Sequence, residues 1–290
     1  DIVVAVLDTG SPSTSSSAWA SSNFIDGGAD FYDYDFDPTD PDALSDDLKV
    51  TSHGTHVATT IGAKNDGKDI NGFGVKVLPL RVLGPDGGST YDILQAMLYS
   101  AGLPNDTGTV APTSEGPIKV INMSLGIEAY KVGYCGYTDV INDVINQGVT
   151  IVAASGNEAL ENPGGASYPA ACDNVISVGS IDTTGARAPY STYNNSVDIA
   201  APGGNMGIDE DGDGYGDGVA AYIRNEDISF LQGTSMASPH VAGALALLHS
   251  VDSGLNPTEI DTYIREGKFT DDIGPSGRDD EYGYGALNLS

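Results

Sequence analysis

The chain has 290 residues, of which 40% are hydrophobic, enough apolar material for the core of one large α/β domain or two ordinary ones. Its 41 acidic residues against 12 basic ones leave a net charge of −29, which argues against nucleic acid or an anionic membrane as a partner. No apolar run reaches the roughly 18 residues that a membrane-spanning helix needs.

Residues 3–7 form a continuous apolar run with three valines, the pattern of a parallel strand buried on both faces. Asp8 closes it, at the carboxyl end where open α/β sheets carry their active groups. Residues 12–22 read as a loop. An acidic loop follows at 33–42. There Asp33, Asp35, Asp37 and Asp40 are either ligands converging on a hard cation such as calcium or a solvated charged loop. A helix is predicted over 51–63, with His53 near its start. A core strand is predicted over 75–83 despite Pro79, and a helix over 91–101. The next strand, 118–123, runs into Ser124-Leu125-Gly126. A helix over 137–147 is closed by Gly148, and the strand 149–154 leads to Ser155-Gly156-Asn157. A strand over 175–179, an acidic insertion at 209–218, a helix over 257–265 and a short element at 283–289 complete the chain. Strands alternating with helices predict one α/β domain over 1–290, with three layers and helices on both faces of a mostly parallel sheet.

The segment from Gly233 to Gly243 reads as a tight turn entering a buried helix, because 241–248 is apolar almost all round. Ser235 falls in the first turn, where free N–H groups and the helix dipole favour negative charge. It is either a helix cap or a nucleophile whose own N–H helps hold an oxyanion. A nucleophilic serine needs a base and a group that orients the base. His53 and His56 lie in Ser52-His53-Gly54-Thr55-His56, and Asp8 precedes them. These three segments, in the order Asp, His, Ser, closely resemble those of the subtilisin-like serine proteases. The resemblance runs on to Gly283-Tyr284-Gly285.

That resemblance implies an endopeptidase in which Asp8 orients His53 and His53 activates Ser235. The Asn157 amide and the Ser235 N–H would hold the oxyanion, and His56 would be a packing residue. It implies that Ser124, Leu125 and Gly126 pair with an extended peptide. These residues with Ala153, Ala154, Ser155 and Ser167 would wall a pocket for medium or large apolar side chains, which Glu158 at its rim would open to Lys or Arg. It also implies a Cys135–Cys172 disulfide, secretion, and a cleaved pro-segment or protein inhibitors as partners beside protein substrates. The first residue already opens a strand and is not Met, as expected of a trimmed or processed chain. The family's calcium-binding aspartate is missing between Thr9 and Phe24. A structural calcium is expected instead at Asp209, Asp211, Asp213, Tyr215 and Asp217, whose spacing matches the start of an EF-hand loop. Position twelve of that loop is Ala220 rather than Glu, so a further ligand is sought at Glu226 or Asp227. Two other readings remain: a catalytically inactive scaffold, or an ester hydrolase on the same triad.

Overall fold

The computed structural model describes residues 2–11, 23–40, 52–67, 69–223 and 227–289. In chain order the elements are β1 (Val3–Asp8), β2 (Ala29–Asp30), α1 (His53–Gly62), β3 (Lys76–Arg81), α2 (Thr90–Ser100), β4 (Ile118–Met123) and β5 (Ile127–Glu128). They continue as α3 (Ala129–Val132), α4 (Thr138–Asn146), β6 (Thr150–Ala154), β7 (Ser167–Tyr168), β8 (Ile176–Ile181) and β9 (Ile199–Pro202). The last are β10 (Val219–Tyr222), β11 (Ile228–Leu231), α5 (Thr234–Val251), α6 (Pro257–Arg265), β12 (Thr270–Asp271) and β13 (Ala286–Leu287).

Nine strands form one sheet in the order β12-β13-β9-β8-β6-β4-β1-β3-β2, parallel throughout except between β12 and β13. The strand period of two sorts the apolar residues into two layers. On one face Ala5, Leu7, Ile121 and Ile151 pack with Ile93 and Met97 of α2 and Ile141 of α4. On the other, Val4, Val6, Val120 and Val152 pack with Ile61 of α1, Leu245 of α5 and Ile260 of α6. The expected three-layer α/β architecture is therefore the one formed.

Pro79 fits inside β3 for a local reason. The N–H of Val77 points away from β1 to the Asn23 carbonyl at 2.9 Å, and residue 79 shares that orientation. On that side β2 pairs only with Leu80 and Arg81, so the missing N–H breaks no ladder bond. The Asn256-Pro257 signal becomes a full capping box. Asn256 accepts from the Glu259 N–H at 3.1 Å, and the Glu259 carboxylate accepts from the Asn256 N–H at 2.9 Å.

Candidate active site

Asp8 ends β1 with 1% of its surface exposed. Its Oδ1 accepts from the Thr9 N–H at 2.7 Å and faces His53 Nδ1 at 2.7 Å. His53 opens α1, and the next residue must be glycine. A Cβ on Gly54 would lie 2.2 Å from the Gly10 carbonyl and 3.0 Å from Asp8 Oδ1. The Gly54 N–H donates to Thr9 Oγ1 at 3.0 Å, which ties the helix start to the strand end. Burial of the ring opposes protonation of His53. The charge of Asp8 and its hydrogen bond together outweigh that, and the pKa stands above the ordinary 6.5. His56 is different. It is buried, hydrogen-bonded through Nε2 to the Val219 carbonyl, and held neutral by burial with a pKa of about 4. It packs from α1 onto β10.

Ser235 is the second residue of α5, just after Gly233, whose φ of 152° suits glycine. His53, Ser235 and Asn157 line one cavity of about 230 Å³, together with Leu231 and Gln232. In this structure the Ser235 hydroxyl donates to the Ser124 carbonyl at 3.2 Å. Ser124 Oγ in turn donates to the Ser235 carbonyl at 2.7 Å and accepts from Asn122 Nδ2 at 3.1 Å. The side-chain oxygen of Asn157 accepts from both the N–H and the hydroxyl of Thr234, at 2.9 and 3.0 Å. That anchoring leaves Nδ2 as the free end of the amide at the cavity. Thr234 carried no expectation in the sequence. Its adjacency to Ser235 is the only signal that could have found it.

Ser124, Leu125 and Gly126 follow β4, and Gly126 approaches β7: a Cβ on it would lie 3.5 Å from Ser167 Cβ. The segment expected opposite it starts at the end of β6. Ala153 packs into the core, and Ser155 turns its hydroxyl to the Thr192 carbonyl. Ala154, 4% exposed, lies in the sheet between them. Gly156 is the residue that meets Ser167. A Cβ there would lie 2.5 Å from Glu158 Oε2, 2.7 Å from Ser167 Oγ and 2.9 Å from Thr192 Oγ1. β6 ends at Ala154, and the chain turns at Gly156, whose φ is +113°.

Of the expected metal residues, Asp209, Asp211 and Asp217 bring carboxylate oxygens within 4.8 Å of one another, the only such group among the described residues. Asp213 is outside that group, and its carboxylate accepts from the Tyr215 N–H at 2.8 Å. Tyr215 was expected to offer its backbone carbonyl, and its side chain is 70% exposed. Asp227 belongs to the β10–β11 turn, where its carbonyl accepts from the Ile223 N–H, and Glu226 lies outside the described residues. The second candidate, Asp33, Asp35, Asp37 and Asp40, does not converge. The cation that this loop meets belongs to the protein. Arg81, 3% exposed, bridges Asp33 and Asp30 and stacks on Tyr32 at 4.9 Å. Asp35 and Asp37 accept from backbone N–H groups of their own loop. Cys135 and Cys172 form a disulfide that ties the segment before α4 to the segment before β8.

The sequence profile of the Subtilase family matches residues 1–285. The chain belongs to the subtilase family. Among other subtilases, "Extracellular protease" of Xanthomonas campestris pv. campestris is 40% identical over 221 residues, 73% of this chain and 35% of that protein. This chain thus spans about a third of that relative's length. "Subtilisin Savinase" of Lederbergia lenta is 31% identical over 290 residues, covering 99% of this chain and 88% of that one. Among solved structures, a protease of Pseudoalteromonas arctica PAMC 21717 superposes with a TM-score of 0.78 at 31% identity, over 99% of this chain and 87% of that one.

Proposed function

We propose that this subtilase chain is the catalytic domain of a secreted serine endopeptidase with the triad Asp8, His53 and Ser235. The observation that carries the reading is the 2.7 Å Asp8–His53 hydrogen bond at the mouth of a cavity that Ser235 and Asn157 also line. Asp8 fixes the tautomer in which Nδ1 bears the proton, so Nε2 is free to act as base. Rotation of the Ser235 side chain exchanges the Ser124 carbonyl for His53 Nε2. Such bonds are commonly unmade before substrate binds. His53 takes the hydroxyl proton as Ser235 Oγ attacks the scissile carbonyl. The Asn157 amide and the Ser235 N–H hold the oxyanion. His53 then gives the proton to the leaving amine, and water attacks the acyl-enzyme by the same route in reverse.

The peptide pairs with 124–126 and sets a side chain between Gly126 and Gly156. Apolar residues fit there, and Glu158 extends the range to Lys and Arg. A cleavage profile dominated by acidic residues at that position would refute this. Asp209, Asp211 and Asp217 are hard oxygen donors suited to calcium, which would screen their mutual repulsion. Loss of chelator sensitivity on replacing them tests the site. Secretion is supported by the disulfide and by the extracellular Xanthomonas relative. The same cleft would hold a pro-segment or a protein inhibitor.

The deciding experiment is labelling with a fluorophosphonate, followed by casein digestion. Stoichiometric labelling with casein cleavage, both abolished in folded Ser235→Ala, is the expected result. Labelling without peptide cleavage would favour an ester hydrolase. A folded protein that neither labels nor cleaves would be a scaffold.

A further inference from the structure

Pro239 lies inside α5, where its ring nitrogen has no hydrogen to give. In an α-helix the N–H of residue 239 would serve the carbonyl of residue 235, four positions earlier. The carbonyl deprived of its donor is therefore that of Ser235. The structure supplies a replacement from a distant element: Ser124 Oγ donates to it at 2.7 Å. Ser124 is 3% exposed, so water does not compete for that bond. A buried chain of side chains fixes the hydroxyl. Ser238 Oγ donates to Asn122 Oδ1 at 2.7 Å, and Asn122 Nδ2 donates to Ser124 Oγ at 3.1 Å.

We infer that the Ser124 hydroxyl is a positioning residue for the nucleophile, substituting for the N–H that Pro239 lacks. It sets the Ser235 backbone against the strand end whose main chain pairs with substrate. The inference rests on the proposed role of Ser235. The backbone of residue 124 lies beside substrate, whereas its side chain holds the nucleophile. Loss of the hydroxyl therefore disturbs the attack and leaves substrate pairing in place.

The test uses kcat and KM per fluorophosphonate-titrated site in the wild type, Ser124→Ala, Ser124→Thr, Pro239→Ala and the double variant Ser124→Ala/Pro239→Ala. An orphaned buried carbonyl next to the nucleophile predicts a kcat loss of about tenfold in Ser124→Ala, with KM changed by about twofold or less. Ser124→Thr keeps a hydroxyl and recovers most of the loss. The double variant also recovers, because replacing the proline restores the N–H that the Ser235 carbonyl lacks. Recovery of this kind is not expected if Ser124 merely stabilises the fold. Wild-type kcat per site in Ser124→Ala, or a double variant no better than the single one, would overturn the inference. If Ser124→Ala does not fold, the same reading comes from the double variant, and its failure to fold counts against the idea. A wild-type protein that neither labels nor cleaves is a different result and fails the proposed function itself.

Discussion

The shelf that carries Ser235 and the acidic loop from Asn205 to Asp217 are held in opposite ways. The shelf is fixed by buried hydrogen bonds between elements far apart in the chain: β4 to α5 through Ser124 and Ser238, and the end of β6 to α5 through Asn157 and Thr234. The loop is held largely by its own carboxylates. Asp209 accepts from the N–H groups of Gly212, Asp213 and Gly214, and Asp211 from that of Asp213. One joint is Gln232, whose side-chain oxygen accepts from the Met206 N–H at 2.5 Å. The shelf that must hold the Ser235 backbone through a reaction is thus built from uncharged, hydrogen-bonded partners. The loop concentrates like charge and depends on what neutralises it.

If that contrast is right, changes in the shelf alter rate and changes in the loop alter stability. The largest effect is expected at the base. Asp8→Asn should lower kcat by about 10⁴-fold, because the imidazole loses the partner that selects its tautomer. It should also move the pH profile. His53 works as the neutral base, so activity falls as pH drops through its pKa, which lies above 6.5 in the wild type. Without the Asp8 charge and hydrogen bond, burial alone remains, and the acid midpoint should fall below 6.5. A midpoint that stays above 6.5 in Asp8→Asn would assign the shift to another group.

Asn157→Ala comes next, with a loss of about 10²–10³-fold in kcat, the size associated with one oxyanion donor. Thr234→Val removes only one of the two bonds that orient that amide, since the Thr234 N–H remains. Its expected loss is smaller, about tenfold, on the scale of one net hydrogen bond. Equal losses in the two variants would mean that Thr234 does more than aim Asn157.

The fold was legible because the strands are read twice, as apolar runs and as segments ending in functional residues. Val3 to Leu7 and Val120 to Met123 are buried on both faces and could be little else. Asp8 ends a strand, Asn157 follows one, and His53 and Ser235 open helices, so their order along the chain, with the family resemblance, singled them out. The unread parts depend on which elements become neighbours. Nothing local says that the hydroxyl of Ser124 will meet the carbonyl freed by Pro239. Likewise the acidic loop at 33–40 gives no sign that its cation is Arg81, far along the chain and beside Asp8 in the parallel register. The approach of Gly156 to Ser167 carried no expectation, because counting back from Asn157 does not reveal where the strand stops and the turn begins.

The smallest effect separates the loop from the shelf most cleanly, because its sign should depend on conditions. Asp211→Asn keeps an oxygen to accept the Asp213 N–H, so the local backbone loses little. What it removes is one of three carboxylates within 4.8 Å of each other. With calcium absent, that relieves repulsion. Exposed pairs of this kind are worth about 1 kcal/mol or less, and Tm should rise by about 2 °C. In millimolar calcium the variant has lost a ligand. Its Tm should fall below that of the wild type, and the wild type should be protected by mass action. Activity at about 25 °C should change less than in any shelf variant under either condition. Thermal scans of both proteins in chelator and in calcium decide the matter. A shift of the same sign in both would mean that the three carboxylates do not share a cation. A large loss of kcat would mean that the loop, through Met206 and Gln232, reaches further into the shelf than one hydrogen bond implies.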